Sequence, residues 1–245
     1  MASILQAYGI KEVADCVFYE LKEDGTPGAP VLLLDTLKVS TIETTAETIY
    51  ATGGKGNPRL IGWDFSKEIT VSLEDALFSP KSMAVMFGDG QVDTESTTTI
   101  RKTIKAVAGE AGVLPTKWED HTGKERDIPE TKEVVSEAGT EIVGTPEAGD
   151  IVYITFDVPV EGMTIEISAN TFPGTYYITG DTLVRNETTG KDEAFQFIIP
   201  KGKVTSENTI TMEADGDPSV FSMTVDVLRA GGQEMMKLVK YDFTD

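Results

Sequence analysis

Within residues 67–74 the chain alternates polar and apolar side chains from Glu68 on, so that Ile69, Val71 and Leu73 share one side of an extended backbone while Glu68, Thr70, Ser72 and Glu74 share the other. An extended strand turns successive side chains to opposite faces, and a strand with one apolar face has to lie half buried in a sheet. The same pattern recurs over 163–168, with Ile165 and Ile167 opposed to Thr164, Glu166 and Ser168, and again over 209–213 and 223–228. Turn-forming runs punctuate the chain: Glu-Asp-Gly at 23–25, Thr-Thr-Gly-Lys at 188–191, Pro-Lys-Gly-Lys at 200–203 and Asp-Gly-Asp-Pro at 215–218. Short strands at such intervals predict a mainly β fold, an antiparallel barrel or sandwich.

One short flanking α-helix is expected over 80–87. Ser79 suits the cap, Pro80 the first helical position, and Met83, Val85, Met86 and Phe87 supply an apolar stripe that Gly88 ends. Residues 116–150 differ in character. They hold ten acidic and four basic residues with few large apolar ones, which reads as an exposed, partly mobile insertion. The organisation expected from this is a first strand-rich part over 1–115, a long acidic insertion over 116–150, and a second strand-rich part over 151–245 completing the same β domain.

At 245 residues the chain is long enough for a sizeable core, and no apolar run approaches the length of a membrane-spanning helix. The opening residues carry neither the basic nor the apolar region of a secretory signal, so synthesis and use in the cytoplasm is expected. Cys16 is the sole cysteine, which rules out an intrachain disulfide and a cysteine-based zinc cluster. With 41 acidic against 21 basic residues the formal charge is −20, which opposes contact with phosphate backbones.

The carriers of catalytic chemistry are sparse. His121, the only histidine, sits in a polar loop-like run, and Cys16 precedes Val17, Phe18 and Tyr19 in a strand-like segment that makes it a small core residue rather than a nucleophile. The glycine-rich run from Thr52 to Pro58 lacks the spacing and closing Lys-Ser/Thr of a phosphate-binding loop and reads as a turn needing positive φ. Glu213, Asp215 and Asp217 alternate as calcium ligands can, but without the rest of an EF-hand they read as a turn between strands. Paired carboxylates are too abundant to mark a glycosidase, and Trp63, Trp118, Tyr176 and Tyr177 suit a core or an assembly interface as well as a carbohydrate surface. No catalytic residue, metal or cofactor is assigned.

Two blocks of sequence carry a resemblance. The first is Asp35-Thr-Leu-Lys-Val-Ser-Thr41 through Gly53-Gly-Lys-Gly-Asn-Pro58 to Trp63-Asp-Phe-Ser-Lys-Glu-Ile-Thr-Val-Ser-Leu-Glu-Asp-Ala-Leu-Phe-Ser-Pro80. The second is Phe172-Pro-Gly-Thr-Tyr-Tyr177, Glu193-Ala-Phe-Gln-Phe-Ile-Ile-Pro-Lys201 and Thr211-Met-Glu-Ala-Asp-Gly-Asp-Pro-Ser-Val-Phe221. Together they resemble tail tube and related virion structural proteins of contractile-tailed bacteriophages. The resemblance implies a non-enzymatic virion component assembled in the host cytoplasm: a β barrel or sandwich with a flanking helix that forms rings, hexameric in such proteins, stacked into a hollow tube. Its implied partners are further copies of itself, tail sheath and baseplate proteins, and DNA passing without specific binding, with no membrane.

In such a tube one polar strand face lines the lumen. The candidates are Glu68, Thr70, Ser72 and Glu74 with Thr224 and Asp226, and the alternative is an ordinary solvent-facing surface. The run 44–60 reads as a loop too long and glycine-rich for a tight hairpin, yet it carries Ile49, Tyr50, Pro58 and Leu60. In the proteins it resembles, a long loop here reaches to the neighbouring ring. That implies a stacking loop freed by Gly53, Gly54 and Gly56 that buries Tyr50 against another subunit; the alternative is a loop folded back on its own barrel. A carbohydrate- or receptor-binding module, another virion part such as a baseplate, terminator or decoration protein, and a carboxylate-based hydrolase are the competing readings, and assembly state separates them.

Overall fold

The computed structural model describes residues 6–205, 210 and 220–242. The chain is mainly β, and among the described residues the strand pairing is antiparallel throughout and there is one α-helix. In order, the strands are β1 (Tyr8–Ile10), β2 (Asp15–Leu21), β3 (Pro27–Leu34), β4 (Leu37–Thr52) and β5 (Arg59–Asp75). The helix α1 (Pro80–Phe87) precedes β6 (Asp93–Val107), β7 (Lys117–Glu119), β8 (Glu125–Asp127), β9 (Lys132–Ser136) and β10 (Ile151–Thr164). The chain then runs through β11 (Thr175–Asn186), β12 (Asp192–Val204), β13 (Phe221–Val227) and β14 (Lys237–Tyr241). It divides into two compact units: a larger one up to Val92 and from Ile165 on, and a smaller one from Asp93 to Thr164.

In the larger unit the strand order is β3-β2-β11-β12-β13-β5-β4, with β1 added to β11 and β14 to β12. All seven strands of that path send side chains into one core that includes Phe18, Leu34, Leu37, Val71, Leu73, Ile178, Ile199 and Val225. A single sheet whose two ends share a core has to curl around it, the geometry expected of a barrel-like β domain. The alternation over 69–75 appears as expected, with Ile69, Val71 and Leu73 buried. Phe197 lies directly opposite Gly180, where a methyl group would stand 2.1 Å from the Phe197 ring, so the absence of a side chain at 180 is what lets the aromatic ring cross the neighbouring strand.

The helix forms as its sequence predicts. The Ser79 hydroxyl accepts from the Ser82 N–H at 3.0 Å and the Ser82 hydroxyl accepts from the Ser79 N–H at 2.9 Å, a reciprocal cap that satisfies two otherwise free donors. Ala84, Val85 and Met86 are buried, with Val85 and Met86 joining the barrel core. Gly88 closes the helix in an extended conformation, its N–H donating to the Ala84 carbonyl.

The smaller unit holds the three-stranded sheet β6-β10-β9 and the hairpin β7–β8. Its own core is Ile128, Val152, Ile154 and Phe156, against which Ile104, Trp118, Val134 and Ile142 pack. Residues 116–150 are therefore not a bare excursion here: they bring Trp118, Ile128, Val134 and Ile142 onto strands that flank them. Strands β6 and β10 pair with each other from Asp93–Thr164 to Val107–Ile151 rather than entering the larger sheet, a long-range choice that no local pattern specifies.

Three local readings are corrected. Strand β10 ends at Thr164, leaving Met163 and Ile167 exposed, so 163–168 is not a half-buried strand. Pro-Lys-Gly-Lys at 200–203 lies inside β12, where the register against β11 shifts between Tyr176 and Ile178; such an irregularity tolerates a proline inside a strand. The run 44–60 is mostly strand rather than loop. The expectations at 209–213 and 215–218 fall outside the described residues, apart from residue 210.

Candidate assembly surface

Strands β4 and β5 form one long hairpin. Val39, Thr41, Ile42, Thr44, Thr45, Thr48 and Ile49 make β4 rich in β-branched residues, which favour extended backbone, and the reversal is confined to Gly53–Pro58. There the backbone needs left-handed geometry at Gly54 (φ 84°), Gly56 (φ 84°) and Asn57 (φ 49°), while the Asn57 N–H donates to the Gly54 carbonyl and the Gly53 N–H to the Pro58 carbonyl. Gly53, Gly54, Gly56 and Pro58 thus build the tip. Ile49 and Tyr50 belong to the arm below it.

The hairpin has two halves. Near the barrel, β5 lies between β13 and β4; farther out, every residue over 41–50 and 59–68 is exposed, and only the two arms remain paired. Within this ribbon Ile49 stands opposite Trp63, Ala51 opposite Ile61 and Glu47 opposite Phe65, which places four large apolar side chains on one side. Ile49 is 56% exposed, Ile61 56%, Trp63 51% and Phe65 42%. The other side is tied internally. Thr48 Oγ1 donates to Asp64 Oδ1 at 2.7 Å, and the Tyr50 ring lies against Gly62 with the Arg59 guanidinium 4.1 Å from its centre.

Below the ribbon, the same side of the hairpin is polar. Thr224 faces Ser72 and Asp226 faces Thr70, while Thr41, Glu43 and Thr45 face Ser72, Thr70 and Glu68 from the other flank. All six residues expected on one polar face are therefore brought together on β5 and β13, and β4 and Ser222 extend that face. It carries Glu43, Glu68, Glu74 and Asp226, against Lys203, which stands opposite Asp226. Glu43, Glu68 and Asp226 are exposed; Thr70, Ser72, Glu74 and Thr224 are half-buried.

The switch from polar to apolar occurs at a β-bulge. Between the pairs Thr45–Glu68 and Glu47–Phe65, β5 spends one residue more than β4, and Ser66 takes a positive φ of 50°. One extra residue reverses the parity of a strand. Phe65, Trp63 and Ile61 would otherwise continue the core side of Ile69, Val71 and Leu73; the bulge turns them to the side of Glu68 and Thr70. Alternation alone does not disclose this, because the apolar residues keep to odd numbers on both sides of the bulge, Ile61, Trp63 and Phe65 before it and Ile69, Val71 and Leu73 after it, with only Lys67 breaking the series.

The remaining candidates stay apart. Cys16 is fully buried, and burial followed by the charges of Asp15 and Asp181 pushes its thiol up to about 12, leaving it protonated and unreactive at neutral pH. His121 is exposed in the turn between β7 and β8. Tyr176 packs edge-on to Phe18 in the core and Tyr177 against Tyr19, whereas Trp63 stands on the ribbon and Trp118 belongs to the smaller unit, so the four aromatics make no joint surface within either unit. Among the described residues no three His, Cys, Asp or Glu side chains gather as a metal site. Glu213, Asp215 and Asp217 lie outside the described residues. No helix among the described residues is long and apolar enough to cross a membrane.

A curled antiparallel sheet with one flanking helix is the architecture that the tube-like sequence blocks imply, with a long hairpin where they imply a loop, and a family model matches residues 8–239. The chain belongs to the YomU/Tube protein family. Membership points to a tube-like structural protein of a phage virion, and the family is structural rather than enzymatic. No curated protein matches the chain at a significant level.

Proposed function

We propose that this YomU/Tube family member is a tail tube subunit that assembles with copies of itself into rings, and that the rings stack into the conduit through which genomic DNA leaves a contractile-tailed virion. The observation that carries the reading is the β4–β5 ribbon, whose Ile49, Ile61, Trp63 and Phe65 stand exposed on one side without cover from the described residues. A two-stranded ribbon alone is marginal in water, and covering a half-exposed large apolar side chain contributes about 1 kcal/mol. Four such residues per subunit, repeated around a closed ring, amount to a strong drive toward association.

The ribbon replaces the stacking loop expected from the sequence. Gly53, Gly54, Gly56 and Pro58 form its tip, Ile49 lies on the apolar side, and Tyr50 on the opposite side beneath Arg59. Contact with the adjacent ring falls to the tip and the apolar side. The polar face of Glu68, Thr70, Ser72, Glu74, Thr224 and Asp226 is the proposed lumen wall. A wall of the same sign as DNA makes no counterion-releasing phosphate contacts, so the duplex slides past without arrest. Hexameric rings, tail sheath and baseplate proteins as further partners, and assembly in the host cytoplasm complete the proposal.

Micrographs of purified protein over a wide concentration range test it. Rings or tubes are expected from the native chain and their loss from Trp63→Ser with Phe65→Ser. Unchanged tubes from the double variant contradict the role given to the ribbon.

A further inference from the structure

On the larger unit, the β2–β3 turn, the outer side of β11 and β12, and the segment between β13 and β14 enclose a recess of about 770 Å3. Four cationic side chains line it, Lys22, Lys201, Arg229 and Lys237, in a chain whose formal charge is −20. Lys237 is engaged by Glu234 at 2.8 Å, but Lys22, Lys201 and Arg229 form no ion pair among the described residues. Of the acids on the same wall, Asp24 accepts from the N–H and hydroxyl of Thr26 at 2.9 and 2.6 Å and keeps its charge, which the Lys22 amine nearby also favours; Glu234 pairs with Lys237, and Glu23 is the third carboxylate of the lining. The lining also includes Tyr177 and Ile198, so part of the wall is apolar, where an ion pair is screened less than on open surface.

We infer that this recess receives carboxylate side chains from a second copy of the chain. Subunits with a charge of −20 repel one another, and a closed assembly is favoured where local attraction opposes that repulsion. Lys201 and Arg229, which form no ion pair among the described residues, supply such attraction together with Lys22, and a predominantly acidic copy of the same chain is the complementary partner present at highest concentration. The inference rests on the self-assembly reading and adds a second contact, distinct from the apolar ribbon.

Carbodiimide coupling joins lysine amines only to carboxylates in direct contact, so an equal mixture of 14N- and 15N-labelled protein, assembled, coupled and digested, reads the contact directly. Cross-links of mixed isotope from Lys22 or Lys201 to an Asp or Glu of the other label are expected. Lys201→Glu with Arg229→Glu is expected to raise the concentration needed for assembly at least tenfold while leaving cooperative unfolding intact. A native protein that never assembles overturns the self-assembly reading and this contact with it. Native assembly in which Lys22 and Lys201 link only within one isotope, or in which duplex DNA rather than another copy shields them, overturns the contact alone; so does normal assembly of the folded double variant.

Discussion

The two halves of the β4–β5 hairpin are made by the same two strands, yet they answer to different partners. Near the barrel, Ile69, Val71 and Leu73 disappear into a core supplied by seven strands and a helix; beyond the bulge at Ser66, Ile61, Trp63 and Phe65 have comparable side chains and no cover among the described residues. Apolar character in a strand thus specifies that something must cover it, and the pairing register decides whether the cover comes from the same molecule. The inner half is stability; the outer half is proposed to be assembly.

That contrast can be broken most forcefully from the inner side. Leu73→Ala removes a fully buried side chain from the barrel and is expected to destabilise folding by about 3 kcal/mol, read as a lowered midpoint in urea. Trp63→Ser on the outer half is expected to shift the same midpoint by less than about 1 kcal/mol while abolishing tubes. If the outer substitution destabilises the monomer as much as the inner one, the ribbon is packed on its own chain in solution and the division is wrong.

A deletion series sharpens the comparison for the smaller unit. Asp93 and Thr164 stand opposite each other, so a short turn in place of 94–163 closes that hairpin without stretching the backbone. The shortened chain is expected to unfold cooperatively, with a midpoint close to that of the intact larger unit. Removing only 116–150 takes Trp118, Ile128, Val134 and Ile142 from the smaller core and is expected to unfold that unit, read as lost amide protection over 93–107 and 151–164. Survival of protection there makes 116–150 dispensable after all.

The polar face carries a smaller expected effect. Glu68→Lys with Glu74→Lys is expected to leave folding and assembly intact and to slow DNA ejection from virions, because cations on the wall hold phosphates. Ejection at the native rate places that face away from the DNA. Smallest of all is Asp120, whose carboxylate is held below the usual range by the Thr122 hydroxyl, Arg126 and the N–H groups of Thr122 and Lys124. A depressed carboxylate contributes stability above its unfolded value near 4 and loses it as the pH falls through the folded value. Asp120→Asn is therefore expected to weaken the β7–β8 turn slightly at neutral pH, with the difference from the native chain narrowing in acid.

What the sequence made legible was the part governed by short-range rules. The alternation expected over 67–74 and 223–228, seen in the burial of Ile69, Val71 and Leu73 and of Met223, Val225 and Val227, and the Ser79–Pro80 helix start depend on residues within a few positions of one another, and all three appear in the structure. The ribbon was hidden because its arms are exposed on both sides, so the chain over 44–52 lacks a clean two-residue period, and the glycines of the tip made the whole stretch look like loop. The bulge at Ser66 was hidden because it is a property of the pairing. The smaller unit was hidden by a long-range choice, β6 with β10, that no local signal specifies.

The central claim is that the outer half of the hairpin awaits a second copy of the chain. Sedimentation velocity of the native protein beside Trp63→Ser with Phe65→Ser, from sub-micromolar to millimolar concentration, measures this most directly. The account expects the native chain to pass from monomer to large closed or stacked species while the variant stays monomeric with native unfolding behaviour. A native protein that remains a single monomeric species over the whole range contradicts it.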